Sequence, residues 1–217
     1  MEYDGNGGGI VPYRYRRTNF YNAVQWAAGL ELFLLIDDPA RLFFTTDHPN
    51  GAPFTAYPDL LALLMDRDLR AQWIATVPQD AMAVCTLPAI AREYGWGEIA
   101  TMTRAAPARL LGLRDRGHLA PGARADVAVY RPQADKAAMF RNAELVFKEG
   151  RLIARRGEIV ERRCGRALTV QPGFDTAIEM WLAAFYDDVY GAPHTAFDVP
   201  AHALGQPEPF ETVPCAR

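Results

Sequence analysis

The spacing of hydrophobic and polar positions divides the chain into stretches of different period. The run AVQWAAGLELFLLI is apolar on nearly every side, which predicts a helix capped by Asn22 and buried among other elements rather than lying on a surface. The acids and proline of DDPA end it. LFF then predicts a short strand that delivers Thr45, Thr46 and Asp47 to its C-terminal end, and HPNGAP forces a turn. A helix follows at YPDLLALLMDRD, with Pro58 suited to a first helical turn, and LRAQWIA comes close behind it. The middle, LPAIAREYGWGEIATMTRAAPARLLGL, predicts short helices broken by Gly95, Gly97 and Pro107. Next come ADVAVYRP, AELVFKEG, RLIARRG and EIVERR, short runs at strand period with turns at Glu149-Gly150 and Arg156-Gly157, which make a small β unit. A last helix, roughly FDTAIEMWLAAFYDDVY, leads into a Pro-rich extended tail. The order helix, strand, loop, helix gives an α/β class and suits a barrel or a doubly wound sheet.

Composition narrows the function classes. With 217 residues, half of them hydrophobic, the chain can bury a real core. Lys+Arg total 23 against 26 Asp+Glu, a net charge of -3, so no basic field is available to hold a polyanion and nucleic acid is not expected as a partner. The apolar run AAGLELFLLI is too short to span a bilayer and the first residues lack the order of a signal peptide, so no membrane partner and a cytoplasmic location are expected. Cys85, Cys164 and Cys215 lie far apart with no ligand-like spacing, and three reduced thiols are expected.

Few residues carry chemistry on pattern alone. The Gly-rich DGNGGGIVP has neither the lysine of a phosphate loop nor a strand before it, and a flexible or close-packed loop is the expectation. His48, His118, His194 and His202 form no H-x-H or H-E-x-x-H pair. His118 sits in a turn before a strand, and His194 and His202 fall in the tail as surface residues. His48 alone shares a strand-end cleft with an acid, Asp47, and local pattern leaves turn capping and catalysis both open for that pair.

The segment MTRAAPARLLGLRDRGHLAPGARADVAVY, Met102 to Tyr130, resembles the C-terminal signature of the amidohydrolase superfamily: Pro-Ala, Leu-Gly, then Gly, Pro-Gly and Ala-Asp leading into a strand. In that superfamily the segment ends a metal-dependent barrel and enters a small β-sandwich. GGGIVPYRYRRTNFYNAVQWAAGLELFLLIDDPARLFFTTDHPNGAPFTAYP, with the later FYDDVYG and FDVP, is similar to the A subunits of formylmethanofuran dehydrogenase and of the formyltransferase/hydrolase complex. The resemblance implies the C-terminal portion of an incomplete (β/α)8 barrel over residues 1–115, a β-sandwich portion over 116–168, and a C-terminal helix and extended tail over 169–217.

It also implies an activity: hydrolysis or formation of the N-formyl bond of a formylmethanofuran- or methylofuran-type C1 carrier, with formate released. Such subunits use a dinuclear metal centre, usually zinc, which polarises the formyl carbonyl and activates a bridging water. Asp47 matches the acid at the end of the last barrel strand, as proton carrier and possible metal ligand, while His48 and Asn50 share its loop as candidates for touching substrate. The segments carrying the H-x-H pair and the remaining histidines do not map, and because no lysine precedes Lys136 the carboxylated lysine does not map either. No metal is therefore expected on this chain alone. The expected partners are the N-terminal part of the barrel, the other subunits of a formyltransferase/hydrolase or dehydrogenase complex, and the formylated carrier. With no cluster cysteines, redox work is not expected here. Two alternatives stay open: a non-catalytic interaction module of the same complex, and another amidohydrolase such as a cyclic amidase or deaminase.

Overall fold

The computed structural model describes residues 16–46, 48, 52–170, 172–197 and 210–214. Contacts cluster into two compact units, Met1–Arg162 and Arg163–Arg217.

The first unit opens with α1 (Phe20–Leu35). Asn19, not Asn22, is its N-cap: the Asn19 side chain accepts from the Asn22 N–H, because only a residue in extended backbone can turn its oxygen back onto the first turn. Burial runs along one stripe, Ala23, Ala27, Leu30 and Leu34, at the spacing of a single helix face. The all-round burial expected from the sequence is not observed, since Leu32 and Leu35 on the other faces are exposed.

Against that stripe pack α2 (Tyr57–Met65), α3 (Arg67–Ile74) and α4 (Gln79–Ala83). Pro58 stands in the first turn of α2, where its missing N–H is harmless. Leu61 to Met65 are buried all round, so α2 is the central helix. Near its C-terminus the Leu64 carbonyl accepts from the Tyr94 N–H at 2.8 Å, and the Leu63 carbonyl accepts from Arg70, a side chain only 1% exposed. The guanidinium donates to Leu63 O at 2.7 Å, Ile90 O at 3.1 Å and Arg92 O at 2.9 Å. Burial lowers the Arg70 pKa, yet every contact is to a carbonyl that favours the cation.

Helix α5 (Trp96–Ala100) begins at Gly95, where Glu98 reaches back to the N-cap N–H at 2.8 Å. It runs without interruption through a π turn (Thr101–Ala105) into α6 (Ala106–Leu110). Neither Gly97 nor Pro107 breaks it, contrary to expectation. The Ala106 N–H bonds to Thr101 O, five residues back, and this widened turn immediately precedes Pro107 in the first turn of α6.

The β unit has the predicted strands: β1 (Val127–Val129), β2 (Leu145–Lys148), β3 (Arg151–Arg155) and β4 (Glu158–Ile159), antiparallel in the order β1-β2-β3-β4, with α7 (Lys136–Arg141) between β1 and β2. Both hairpin loops are two residues long. Glu149 and Gly150 have φ 50 and 77, Arg156 and Gly157 have φ 50 and 84, as a type I′ turn requires.

In the second unit β5 (Leu168–Val170) pairs in parallel with β6 (Glu211–Val213). Between them α8 (Ile178–Tyr190) stops at Gly191 in left-handed conformation, and a 3₁₀ turn (His194–Phe197) folds onto it, Tyr186 meeting Phe197 at 5.2 Å. The helix starts at Ile178, four residues later than predicted, after a turn closed by the bond from Ile178 N–H to Asp175 O. No residue of α8 is buried.

Candidate functional site

The segment entering the candidate loop is extended but not a strand. Leu42 has φ -118 and ψ 138, and no strand among the described residues pairs with positions 42–46. The predicted strand is thus corrected to an extended arm, since a ladder needs a neighbour to bond. Its side chains still alternate: Leu42 and Thr46 are buried and Phe44 half-buried, while Phe43 and Thr45 are exposed. The arm therefore has one face on the helices and one free of them.

The loop beyond is closed by the Ala52 N–H, which donates to Thr46 O at 2.8 Å. Of the three candidate residues only His48 is described; Asp47 and Asn50 lie outside the described residues. His48 is exposed, its ring stacked on Phe54 at 4.2 Å with 20° between planes. Thr46 Oγ1 is buried and finds no hydrogen-bond partner among the described residues. Sequence reading delivers Thr46 to the end of the arm without giving it a role, although alternation can assign it to the buried face, and it passes over Phe54.

The other sequence candidates are placed elsewhere. His118 closes its own turn, with Nε2 3.0 Å from Arg114 O and Nδ1 accepting from the Ala120 N–H at 3.3 Å. His194 lies in the 3₁₀ turn beside Tyr186. His202, Cys215 and the Gly-rich start fall outside the described residues. Cys85 and Cys164 are free thiols, and burial pushes the Cys85 pKa up. Among the described residues no group of three or more His, Cys, Asp or Glu could hold a metal ion, so they do not by themselves fit a dinuclear centre. No helix among them is long and apolar enough to cross a membrane.

The signature after Met102 is architectural. Leu111-Gly112 ends α6 in a Schellman motif: Leu113 N–H donates to Ala108 O at 2.8 Å, Gly112 N–H to Arg109 O at 3.1 Å, and Gly112 has φ 70. Gly117, at φ 83, leaves no room for a Cβ, which would stand 2.7 Å from the Ala108 Cβ and 2.8 Å from Arg104 O. Asp126 accepts from Lys148 Nζ at 2.6 Å and from the Glu149 N–H at 2.8 Å, pinning the first hairpin turn. Burial alone would raise the Asp126 pKa, but these two bonds outweigh it and the net direction is down. Asp115 is held at about 2, first by the hydrogen bond from Arg116 and then by Arg124.

Residues 5–160, which include this helix, the Gly turns and the pinned hairpin, match the family model described as "Amidohydrolase family", and the chain belongs to that family. More particularly, it is 46% identical over 213 residues to the A subunit of the formyltransferase/hydrolase complex Fhc of Methylorubrum extorquens, covering 98% of this chain and 39% of that protein. It is 38% identical over 184 residues to protein FwdA of Methanocaldococcus jannaschii, covering 80% of this chain and 32% of the relative. The crystal structure of the FhcABCD complex from Methylorubrum extorquens with methylofuran contains a chain that superposes with TM-score 0.85 at 46% identity, over 97% of this chain and 39% of that one. The chain thus spans about two fifths of the length of the first relative. The similarity to A subunits expected from the sequence is therefore borne out, as is the mixed helix and strand class.

Proposed function

We propose that the chain forms part of a metal-dependent amidohydrolase that hydrolyses or forms the N-formyl bond of a furan-type C1 carrier, working inside a multi-subunit complex and releasing formate. The observation that carries the reading is the extended arm 42–46. One face is sealed on helices and the other is exposed, and in the sequence Asp47 follows directly on this arm. That is the arrangement of a barrel strand, helices outside and reacting groups inside at the C-terminal end. On this reading residues 1–115 belong to a (β/α)8 barrel, 116–168 to a β-sandwich, and 169–217 to a helix and tail. The partners are the barrel strands of the longer relatives, further subunits and the formylated carrier, in the cytoplasm.

A dinuclear centre, zinc by family habit, would polarise the formyl carbonyl when bound; Asp47 is the one residue of this chain offered toward it. The chain's own contribution is proton movement. The Asp47 carboxylate takes a proton from the attacking water and returns it to the leaving amine, while His48 and Asn50, in the same closed loop, orient the carrier. The hydrogen bond from Ala52 to Thr46 supports this by fixing both ends of the loop. The test is formate release from the formylated carrier by the assembled complex carrying Asp47→Asn, with a loss of about 10²-fold or more expected. An undiminished rate removes Asp47 from catalysis. A second reading, a non-catalytic docking module, is favoured by the exposed apolar residues of α1 and α8. Co-expression with a chain bearing the H-x-H half separates the two, because recovered activity means a shared site and a stable inactive complex means a scaffold.

A further inference from the structure

At the end of the extended arm the rings form a ladder. His48 stacks on Phe54 at 4.2 Å, and Phe54 stacks on Tyr57 at 6.4 Å with 22° between planes. Tyr57 tilts against Phe44 at 5.9 Å and donates its hydroxyl to Phe44 O at 3.4 Å. Phe44 in turn meets Phe33 of α1 at 4.7 Å. The ladder runs from the buried helical core to an exposed imidazole. Its inner rungs explain themselves as core packing, whereas the outer pair does not: Phe54 remains 64% exposed and His48 is exposed beyond it. A single exposed aromatic needs no explanation, but a stacked pair anchored through Tyr57 presents a flat, rigid π surface.

We propose that Phe54 is a positioning residue that holds the His48 imidazole flat, and that the outer face of this pair is a shelf for the furan ring of the carrier. This rests on the reading of the site given above and assigns its substrate contact. A furan ring offers one weak acceptor and two π faces, so stacking is the main recognition it permits. Aromatic pairing of this kind corresponds to about a three- to tenfold difference in binding.

Two measurements test it. In the 217-residue chain with ring-labelled histidine, assigned through His48→Gln, the His48 ring protons are expected to lie upfield through the Phe54 ring current. They should stay there in Phe54→Tyr and move downfield in Phe54→Leu; no movement in Phe54→Leu overturns the positioning role. In the assembled complex, Phe54→Leu is expected to raise KM for the formylated carrier about three- to tenfold with kcat changed less than about twofold. Phe54→Tyr should restore KM, and a formylated saturated alkylamine should be turned over equally by parent and Phe54→Leu. An unchanged KM where Asp47→Asn abolishes activity overturns the shelf and leaves the reading of the site standing. Full activity in Asp47→Asn overturns that reading, and the spectroscopic result still decides what Phe54 does for His48.

Discussion

Two regions of the first unit receive their backbone partners in opposite ways. The hairpins from β2 to β4 close on themselves, with two-residue turns, a register broken only at Val146/Phe147, and Asp126 clamping the first turn. The arm from Leu42 to Thr46 is equally apolar and equally extended, yet among the described residues it pairs with no strand and its Thr46 hydroxyl finds no partner. Extended backbone is a local property, whereas a ladder depends on what lies alongside. A hairpin brings its neighbour through a turn; a parallel barrel strand draws its neighbour from a distant part of a chain.

Substitutions can break or sharpen this contrast. The largest effect is expected at Arg70, which supplies by side chain what the hairpins supply by backbone. Arg70→Met should leave the buried Leu63 carbonyl and the half-buried Ile90 and Arg92 carbonyls without this donor and lower the unfolding free energy by about 3 kcal/mol, read from urea midpoints. Gly117→Ala comes next, since a Cβ meets backbone and Ala108 at positive φ, and a loss of about 2 kcal/mol is expected in the same measurement. At Thr46 the sign reverses: Thr46→Val removes a buried hydroxyl without a partner among the described residues while keeping its shape, so the 217-residue chain should gain about 1 kcal/mol. A gain confirms that the arm is unfinished; a loss means that the hydroxyl is already satisfied.

The smallest effect is pH-dependent. The folded pKa of Asp115 is about 2, below the roughly 3.9 of an unfolded aspartate. Its stabilisation is therefore present above pH of about 4 and is lost as pH falls toward 2. The side chain is 41% exposed, so solvent screening leaves it worth only a few tenths of a kcal/mol. Urea midpoints of the parent and Asp115→Asn should differ slightly at about pH 5 and converge by about pH 2.

The same contrast explains what can be read from the amino-acid string. Glu149-Gly150 and Arg156-Gly157 are legible because the turn is encoded in adjacent residues. Asn22 stands as an equally good cap in the string, and only the extended backbone at Asn19 decides between the two asparagines. Pro107 misleads because a π turn directly precedes it, and the widened turn accommodates a ring that would otherwise break the helix. At the candidate site His48 is legible as a residue of interest, but its stacking on Phe54 requires the closed loop between them. Arg70 gives no signal at all, since a buried arginine is written like an exposed one.

The hairpins also set an order of events. Their contacts close over a few residues, and such turns form in about 1–10 μs. The helical core is tied instead by bonds between distant residues: Arg92 donates to Leu34 O across 58 positions, and the Tyr94 hydroxyl to Phe33 O across 61. Closing loops of that length is entropically slower, so α1 and the segment around Arg92 should meet after the β2–β3 turn has already formed. A chain emerging from the ribosome would thus hold the Phe33 and Leu34 carbonyls without these two donors until Arg92 and Tyr94 had followed them out.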